Sequence, residues 1–259
     1  MSAVKTMLKA LFGAENVPGK PKVPDASRIY AIGDVHGRLD LLHDLIRRIT
    51  ADHEQRGGVA SCEIILLGDL IDRGPDSAGV VDLACNWNHP AIHLTTMKGN
   101  HEATLLSVLD GETNWLLSWL SFGGQQCLES YGVSSSVLMS GELGKIVAAA
   151  RRAVPPAHQA FLAGLPLMLH RGDYCFVHAG VKPGVALEAQ VESDLIWIRD
   201  EFLDSSIDHG AVIVHGHTIR PEVQVRPNRI GLDTGAYRTG ILSAVGLEGG
   251  DYWLLSTGV

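Results

Sequence analysis

Five short segments of the chain carry residue types that bind divalent metal ions, and most follow an apolar run. They occupy residues 33–37, 68–74, 99–102, 178–180 and 216–218. Carboxylate, amide and imidazole groups are ligands for hard and borderline divalent cations. Because the carboxyl ends of strands in an α/β sheet open into its ligand crevice, we expect these segments to meet there. The pattern predicts a two-metal site for phosphate-ester hydrolysis.

The chemistry suggests which residue binds which ion. Two divalent cations about 3.5–4 Å apart can generate hydroxide near neutral pH and offset developing charge. Holding like charges so close requires a shared carboxylate, and Asp69 is the natural bridge. Asp34 and His36 are separated by one residue, so both can face the first ion from an extended turn. The second ion would be bound by the remaining ligands, Asn100, His178 and His217.

Four further residues can act without touching metal. His101 follows a predicted ligand directly and could protonate the departing oxygen. Asp72 could orient that imidazole and raise its basicity. Arg73 offers a planar fork that matches phosphate oxygens, and Arg199 is a second candidate for the same contact. We therefore expect a catalytic His101–Asp72 pair and two phosphate-binding arginines.

Each segment taken singly has an ordinary structural explanation. Asn100 could cap a helix, which is compatible with ligation, His178 could simply end a strand, and Asp72 with Arg73 could form a surface ion pair. Their joint occurrence in one order, at expected strand ends, favours the metal site. The other histidines lack such a pattern and are interpreted as structural or exposed: His43, His53, His89, His93, His158, His170, His209 and His215.

Hydrophobic periodicity indicates the elements that position these segments. Strands are predicted at residues 28–32, 63–67 and 92–97, and helices follow at 39–49, 77–85 and 102–109. This alternation predicts parallel strands with right-handed crossovers. Later strands are predicted at residues 174–177, 211–214, 228–232, 241–247 and 252–255, the last two with hairpin spacing around Gly249 and Gly250.

The segment at about residues 103–170 is expected to be a helical insertion beside the site. Its Trp115, Trp119 and Tyr131 lie in a pattern that favours core positions over a pocket. Together, these elements predict an α/β fold, a mixed two-sheet sandwich flanked by helices.

Composition limits the possible functions. The chain has 259 residues, 46% hydrophobic content and a formal net charge of −8, which argues against a basic nucleic-acid-binding face. Its four scattered cysteines are expected to be reduced thiols. No long apolar run indicates a membrane span or signal peptide, so we expect a cytoplasmic protein.

The N-terminal region is expected to lie outside the catalytic domain. Residues 4–12 have helical spacing of apolar residues, and residues 13–25 are rich in Gly, Pro and Lys, as in a linker. We therefore predict a tail at residues 1–27 and a single catalytic domain at 28–259.

These motifs resemble the calcineurin-like metallophosphoesterases, and within them the bacterial and phage PPP-type serine/threonine protein phosphatases. The resemblance covers about residues 28–256 and includes the full GDxHG, GDxxDRG and GNHE triplet. It implies the calcineurin-like fold and the same metal, catalytic and phosphate-binding residues as the chemical reasoning. It also implies Mn²⁺ as the customary ion, with Fe or Zn as alternatives.

Two features distinguish related subfamilies. Many phosphodiesterases of this superfamily have Gly-His-x-His, whereas this chain has Ile219 at the second His. Bacterial enzymes that split dinucleoside tetraphosphates symmetrically typically lack the acid at Asp72 and have Asp in place of Glu102. The first feature weighs against a phosphodiesterase, and the second favours a protein phosphatase over a dinucleoside tetraphosphate hydrolase.

We therefore expect a metal-dependent hydrolase acting on phosphoserine and phosphothreonine, with phosphotyrosine left open, by attack of a hydroxide that bridges the two ions. Its partner would be a phosphoprotein or a phosphorylated small molecule. The alternative is a hydrolase of dinucleoside tetraphosphate (Ap4A) or another small pyrophosphate.

Overall fold

Two five-stranded sheets form the centre of the protein. The computed structural model describes residues 19–258, so the predicted helical pattern at 4–12 lies outside the described residues. In chain order the strands are β1 Ser27–Ile32, β2 Ser61–Leu66, β3 His93–Thr96, β4 Met168–Arg171, β5 Tyr174–Val177, β6 Val212–His215, β7 Gln224–Arg226, β8 Arg229–Gly231, β9 Ser243–Glu248 and β10 Asp251–Ser256. Their orders in the two sheets are β10-β9-β1-β2-β3 and β4-β5-β6-β8-β7, and both sheets mix parallel and antiparallel pairs. The predicted mixed two-sheet α/β architecture with flanking helices is confirmed.

The strands match the predicted runs closely at the site and less well at the periphery. β1 pairs in parallel with β2, and β2 with β3, as the alternation of strands and helices indicates.

Helices flank the sheets and fill the connection between β3 and β4. No helix within residues 19–258 is long and apolar enough to cross a membrane. The α-helices are α1 Leu39–Arg56, α2 Ser77–Cys85, α3 Asn100–Asp110, α4 Leu116–Trp119, α5 Gln125–Ser130, α6 Ser135–Leu138, α7 Leu143–Ala153, α8 Pro156–Ala163, α9 Glu192–Trp197, α10 Asp200–Leu203 and α11 Ala236–Thr239; a π-turn spans Leu120–Gly124.

The apolar residues of β1 do not alternate with polar ones, because both faces of this strand are covered. Ile29 and Ala31 face the second sheet and join the cluster between the sheets. Tyr30 and Ile32 face the other way, into the cluster beneath the helices. Because successive side chains of a strand point to opposite faces, a strand covered on both faces is apolar throughout.

The connection between β3 and β4 is helical only as far as Ala163, whereas the helical insertion was predicted to extend to about residue 170. Met168–Arg171 instead pairs with Tyr174–Val177 as an antiparallel hairpin. Gly172 turns this hairpin with a φ of 61°. The short β7 strand was not predicted either, since two of its three residues are exposed and it carries little periodic signal.

Part of the predicted tail packs on the sheets. Val23 is buried, and its N–H donates to the Gly249 carbonyl at 3.1 Å. The Lys22 carbonyl accepts from Asp173 N–H at 2.8 Å. This segment therefore contacts the turns of both sheets before β1 begins.

Gly33 lets the two sheets approach each other at the site. It follows β1, and its N–H donates to the Ser243 carbonyl at 3.1 Å. A Cβ at this position would lie 2.5 Å from the Leu232 carbonyl oxygen, in the segment after β8. Because both neighbours are backbone atoms, they cannot move aside as a flexible side chain would.

We predict that Gly33→Ala lowers the free energy of unfolding by about 1–3 kcal/mol, because overpacking forces backbone shifts. Gly144→Ala is the control, since a Cβ there meets nothing within 4 Å and Gly144 lies in α7. Ala at that helical position should stabilise slightly. Urea unfolding of both variants measures the difference, and equal stability of Gly33→Ala and the wild type would contradict the predicted clash.

Candidate metal centre

The predicted site residues meet at the carboxyl ends of strands from both sheets. Except for Arg199, they follow β1, β2, β3, β5 and β6. Among the described residues, six non-glycine residues have positive φ, and five belong to this site: His36, Asp69, Asp72, Arg73 and His217, with φ between 46° and 74°. Such backbone costs about 1–3 kcal/mol per residue and is found where surrounding structure enforces it.

One group of metal-ligand atoms forms around His178. Its Nδ1 faces the Leu67 carbonyl at 2.9 Å, so it must donate there. Its Nε2 then lies 2.9 Å from Asn100 Oδ1, 3.2 Å from His217 Nδ1 and 3.4 Å from Asp69 Oδ1. Asp69, His178 and His217 each offer a ligand atom within 4.8 Å of the others. The structure thus brings together the four residues predicted for the second ion.

A second group forms on the other side of Asp69. His36, Asp69 and His101 each place a ligand atom within 4.8 Å of the others. His36 Nδ1 donates to the Ile71 carbonyl at 2.8 Å, which leaves Nε2 as the acceptor. That Nε2 lies 3.5 Å from Asp69 Oδ2. Asp69 is therefore the residue common to both groups, the position that sequence reasoning assigns to the bridge.

Asp34 lies at the base of the site and outside both groups. Its two carboxylate oxygens accept from the His217 backbone N–H at 3.0 Å. A Cβ at Gly216 would lie 2.0 Å from Asp34 Oδ1, so this approach requires glycine. The structure buries Asp34 beside the predicted ligands but turns its carboxylate toward the loop after β6.

The charges of the site suit cations. Burial and then the Asp233 carboxylate raise the pKa of Asp34 well above its usual range. Burial raises the pKa of Asp69, but His178 and His101 outweigh it and hold that pKa well below the usual range. Burial lowers the pKa of His178, but Asp69 reverses this and raises it to about 10. Buried carboxylates therefore draw positive charge to this place.

The donor set of the site fits divalent ions. Burial lowers the pKa of His36 to about 3, and burial together with His178 lowers that of His217 to about 2. Both rings are therefore neutral, the form that binds metal. The buried Nε2 of His217 has no hydrogen-bond partner. Lone pairs of imidazole, amide and carboxylate groups converge here, and mixed nitrogen and oxygen ligands suit Mn, Fe or Zn.

Glu102 connects the loops after β2 and β3. Its Oε2 accepts from Asp69 N–H at 2.9 Å and from Gly99 N–H at 2.8 Å. Its Oε1 accepts from Leu70 N–H at 2.8 Å and Ile71 N–H at 3.4 Å. Burial, then the Asp69 charge, raises the pKa of Glu102 to about 7. This carboxylate thus holds the backbone that carries Asp69.

His101 and Asp72 form a buried pair beside the first group of ligands. His101 Nδ1 faces Asp72 Oδ2 in a short hydrogen bond. Burial lowers the pKa of His101, but Asp69 and Asp72 outweigh it and raise the pKa. The Arg73 guanidinium lies 2.8 Å from His36 Nε2 and 3.1 Å from His101 Nε2. The predicted acid, its orienting carboxylate and one phosphate-binding arginine are adjacent.

A cleft of about 790 Å³ opens from this group. Arg199 reaches it from the segment after α9, where its guanidinium lies 3.3 Å from Thr218 Oγ1. The lining includes Trp115, which is 73% exposed, so the expectation that the aromatic residues of the insertion favour the core is wrong for it. The lining residues are Arg73, Asn100, His101, Ala103, Thr104, Ser107, Val108, Glu112, Trp115, Ser118, Trp119, Phe122, Trp197 and Arg199.

Sequence reasoning missed two residues of the site. Asp233 is buried, its Oδ1 accepts from Gly235 N–H at 2.8 Å, and its Oδ2 has no partner. Tyr237 packs edge-on against His36 and lies beneath the Arg73 guanidinium at 4.8 Å. The Asp233-Thr234-Gly235 turn after an apolar run was the available signal for Asp233, whereas nothing in the spacing pointed to Tyr237.

Comparisons with known proteins agree with this geometry. The family model described as calcineurin-like phosphoesterase matches residues 27–236. Serine/threonine-protein phosphatase 2 of Escherichia coli (strain K12) is 26% identical over 83% of this chain and 90% of that protein. A symmetrical bis(5'-nucleosyl)-tetraphosphatase of Dechloromonas aromatica (strain RCB) is 30% identical over 60% of this chain, and the match spans 44% of that relative.

Solved structures share the fold. "Crystal structure of a putative diadenosine tetraphosphatase" has a TM-score of 0.63 at 23% identity and covers 92% of this chain and 98% of its own. A cold-active protein tyrosine phosphatase has a TM-score of 0.52 at 16% identity, over 90% of this chain and 81% of its own. At these identities the likeness shows the fold alone.

We predict that Glu102→Gln destabilises the protein by about 2–4 kcal/mol, because either amide orientation places an NH₂ donor against two backbone N–H groups. Urea unfolding in EDTA measures this without a contribution from bound metal. Glu112→Gln, at an exposed position of the cleft, is the control and should be neutral. Equal stability of the two variants would contradict the role of Glu102 as a clamp.

We predict that Asp69→Asn abolishes binding of both metal ions, whereas His36→Ala abolishes one, because only Asp69 is common to both ligand groups. Asn tolerates the left-handed backbone of position 69, so the fold should persist. Metal per chain, measured by mass spectrometry after Mn²⁺ loading and desalting, checks this. Retention of two ions by Asp69→Asn would show that this carboxylate does not bridge them.

Proposed function

The chain belongs to the calcineurin-like phosphoesterase family, and from this premise we propose that it is a phosphoprotein phosphatase acting on phosphoserine and phosphothreonine. It is a hydrolase of the metallophosphoesterase type, a family that uses divalent metal ions. Within this type of hydrolase, we propose phosphorylated protein side chains as the substrate class, with phosphotyrosine as a further substrate.

The observation that carries the proposal is the buried His101–Asp72 pair. The alkoxide of serine or threonine is a poor leaving group, so its departure is assisted by a proton from an acid. Cleavage of a tetraphosphate releases a phosphate anion, which needs that proton far less. His101 has a raised pKa and is held by a carboxylate beside the metal ligands, so it can supply this proton. The pair therefore supports a phosphate monoester of an alcohol as the substrate.

The cleft supports the same substrate class. Of its lining residues, the arginines are Arg73 and Arg199, both at the end that carries His101, and Glu112 stands on the wall. A tetraphosphate would bring several negative charges past a carboxylate into this cleft. A peptide with one phosphoryl group places its negative charge at the arginines and its neutral part along Trp115 and Phe122.

The residues present fit a pair of divalent ions. We assign His36 and Asp69 to the first ion, with Asp34 as a third ligand once its carboxylate turns from the His217 N–H. We assign Asp69, Asn100, His178 and His217 to the second, with Mn²⁺ as the expected metal. When bound, the ions would lower the pKa of water and offset the charge that develops on the phosphoryl group.

The chain's own side chains supply the rest of the mechanism. Arg73 and Arg199 bind and orient the phosphoryl oxygens through charge-assisted hydrogen bonds. The Nδ1–H of His101 stays with Asp72, so the proton given to the departing serine or threonine oxygen comes from Nε2. We propose that the reaction takes place in the cytoplasm, supported by four cysteines without disulfides.

Relatives support both this proposal and its alternative. The Escherichia coli relative, which matches over most of its length, is named a serine/threonine-protein phosphatase. Other relatives are named symmetrical bis(5'-nucleosyl)-tetraphosphatases, and these matches cover about 60% of this chain or less. Hydrolysis of Ap4A is therefore the second candidate function.

We expect kcat/KM on phosphoserine and phosphothreonine peptides to exceed that on Ap4A by at least about tenfold, because only the alkoxide needs the full help of His101. The measurement uses metal-free protein reloaded with Mn²⁺, with release of phosphate and of nucleotides followed in parallel. Asp69→Asn, purified identically, controls for contaminating phosphatases. A higher kcat/KM on Ap4A would overturn the proposal in favour of the alternative.

A further inference from the structure

An indole N–H from the helical insertion reaches the carboxylate that orients His101. Trp119 is 4% exposed, and its Nε1 lies 2.6 Å from Asp72 Oδ2. His101 Nδ1 faces the same oxygen. Asp72 is fully buried, and its other oxygen, Oδ1, has no hydrogen-bond partner. One carboxylate oxygen thus accepts from two rings that come from different parts of the fold.

The local backbone is shaped to present Trp119. α4 ends at this residue and continues into the π-turn Leu120–Gly124. A Cβ on Gly124 would lie 2.4 Å from the Trp119 ring, so the ring packs directly on this glycine. Such π-turns often occur at functional sites, where they redirect side chains.

The same turn contacts the loop after β2. The Gly123 carbonyl accepts from Arg73 N–H at 3.2 Å, and Gly123 has a φ of 123°. A Cβ there would lie 2.5 Å from the Arg73 nitrogen. Side chain and backbone of the insertion therefore bind two successive residues, Asp72 and Arg73, whose own backbone is left-handed.

The indole restricts how the Asp72 carboxylate turns. Its N–H can only donate, and it holds Oδ2 in the direction of His101 Nδ1. This fixes the proton of His101 on Nδ1 and leaves Nε2 for the reaction. The neighbouring Cys127 thiol has a pKa raised well above its usual range by burial and then by Asp72, so it stays neutral beside the carboxylate.

We propose that Trp119 is a positioning residue for the leaving-group acid, acting through Asp72 on His101. This inference rests on the proposed role of His101. Trp119 also lines the cleft. The same side chain would therefore border the substrate and hold the carboxylate that orients the acid. The residue is not catalytic itself, because it reaches His101 only through the carboxylate.

The test removes the N–H while keeping the ring. Replacing Trp119 by β-(3-benzothienyl)alanine substitutes sulfur for the N–H in a ring of nearly the same shape, and Trp119→Phe is the genetically simple version. Loss of a hydrogen bond to a charged group should lower kcat on a phosphoserine peptide about tenfold or more. KM should be unchanged, and kcat on p-nitrophenyl phosphate should fall less than about twofold, since its leaving group hardly needs an acid.

Trp87→Phe is the matched control. Trp87 is half-buried, and its indole N–H donates to the Ile92 carbonyl at 2.8 Å, next to β3. The Trp87→Phe substitution should leave unchanged the ratio of kcat on the phosphoserine peptide to kcat on p-nitrophenyl phosphate. Bound metal per chain, measured for every variant, confirms that the ligands are intact.

The outcomes separate this inference from the proposed function. Unchanged kcat in the benzothienyl variant, or equal losses on both substrates, would overturn the role of Trp119. His101→Ala is measured alongside. A selective loss in His101→Ala without one in the Trp119 variants overturns this inference alone. Equal losses in His101→Ala overturn the proposed acid, and the inference with it.

Discussion

The structure depends on a single buried carboxylate that has imidazole groups on several sides. Asp69 stands between His36 on one side and His178 on the other, at 3.5 and 3.4 Å. Bringing these groups together without a cation is unfavourable, because buried charge is costly unless it is paired. The surrounding fold must therefore hold them in place. Both sheets contribute, since β1 and β2 belong to one and β5 and β6 to the other.

Strained loops hold these ligand groups in place. His36, Asp69 and His217 have left-handed backbone although none is glycine. The sheets below are apolar and closely paired, so their stability offsets that strain. Glu102 then ties the loop after β2 to the start of α3 through backbone N–H groups. A rigid frame and a short network of hydrogen bonds together fix the positions of the side chains.

Sequence predicted the parts of this arrangement that have local signatures. Strand and helix periodicity gave the elements around the motifs, and α2 was placed at its observed bounds. Tyr237 and the indole hydrogen bond of Trp119 had no such signature, because each acts through a contact with a residue far away in the chain. The β4 strand was missed because its sequence, Met-Leu-His-Arg, has two apolar residues followed by two polar ones and so shows no alternation. Contacts between residues that are far apart in the chain leave no pattern that can be recognised in a single sequence.

The double attachment of Trp119 has a consequence for how such proteins diverge. Trp115 and Phe122 are exposed on the cleft, and their side chains form no hydrogen bond or ring contact with the ligands that the structure describes, so substitutions there can reshape the wall freely. Trp119 lacks this freedom, because the ring that borders the cleft also donates to Asp72. A related protein in which another segment replaced the whole insertion would also need a new hydrogen-bond donor for Asp72. New substrate specificity is therefore easier to reach by changing the exposed residues of the insertion than by changing the buried Trp119.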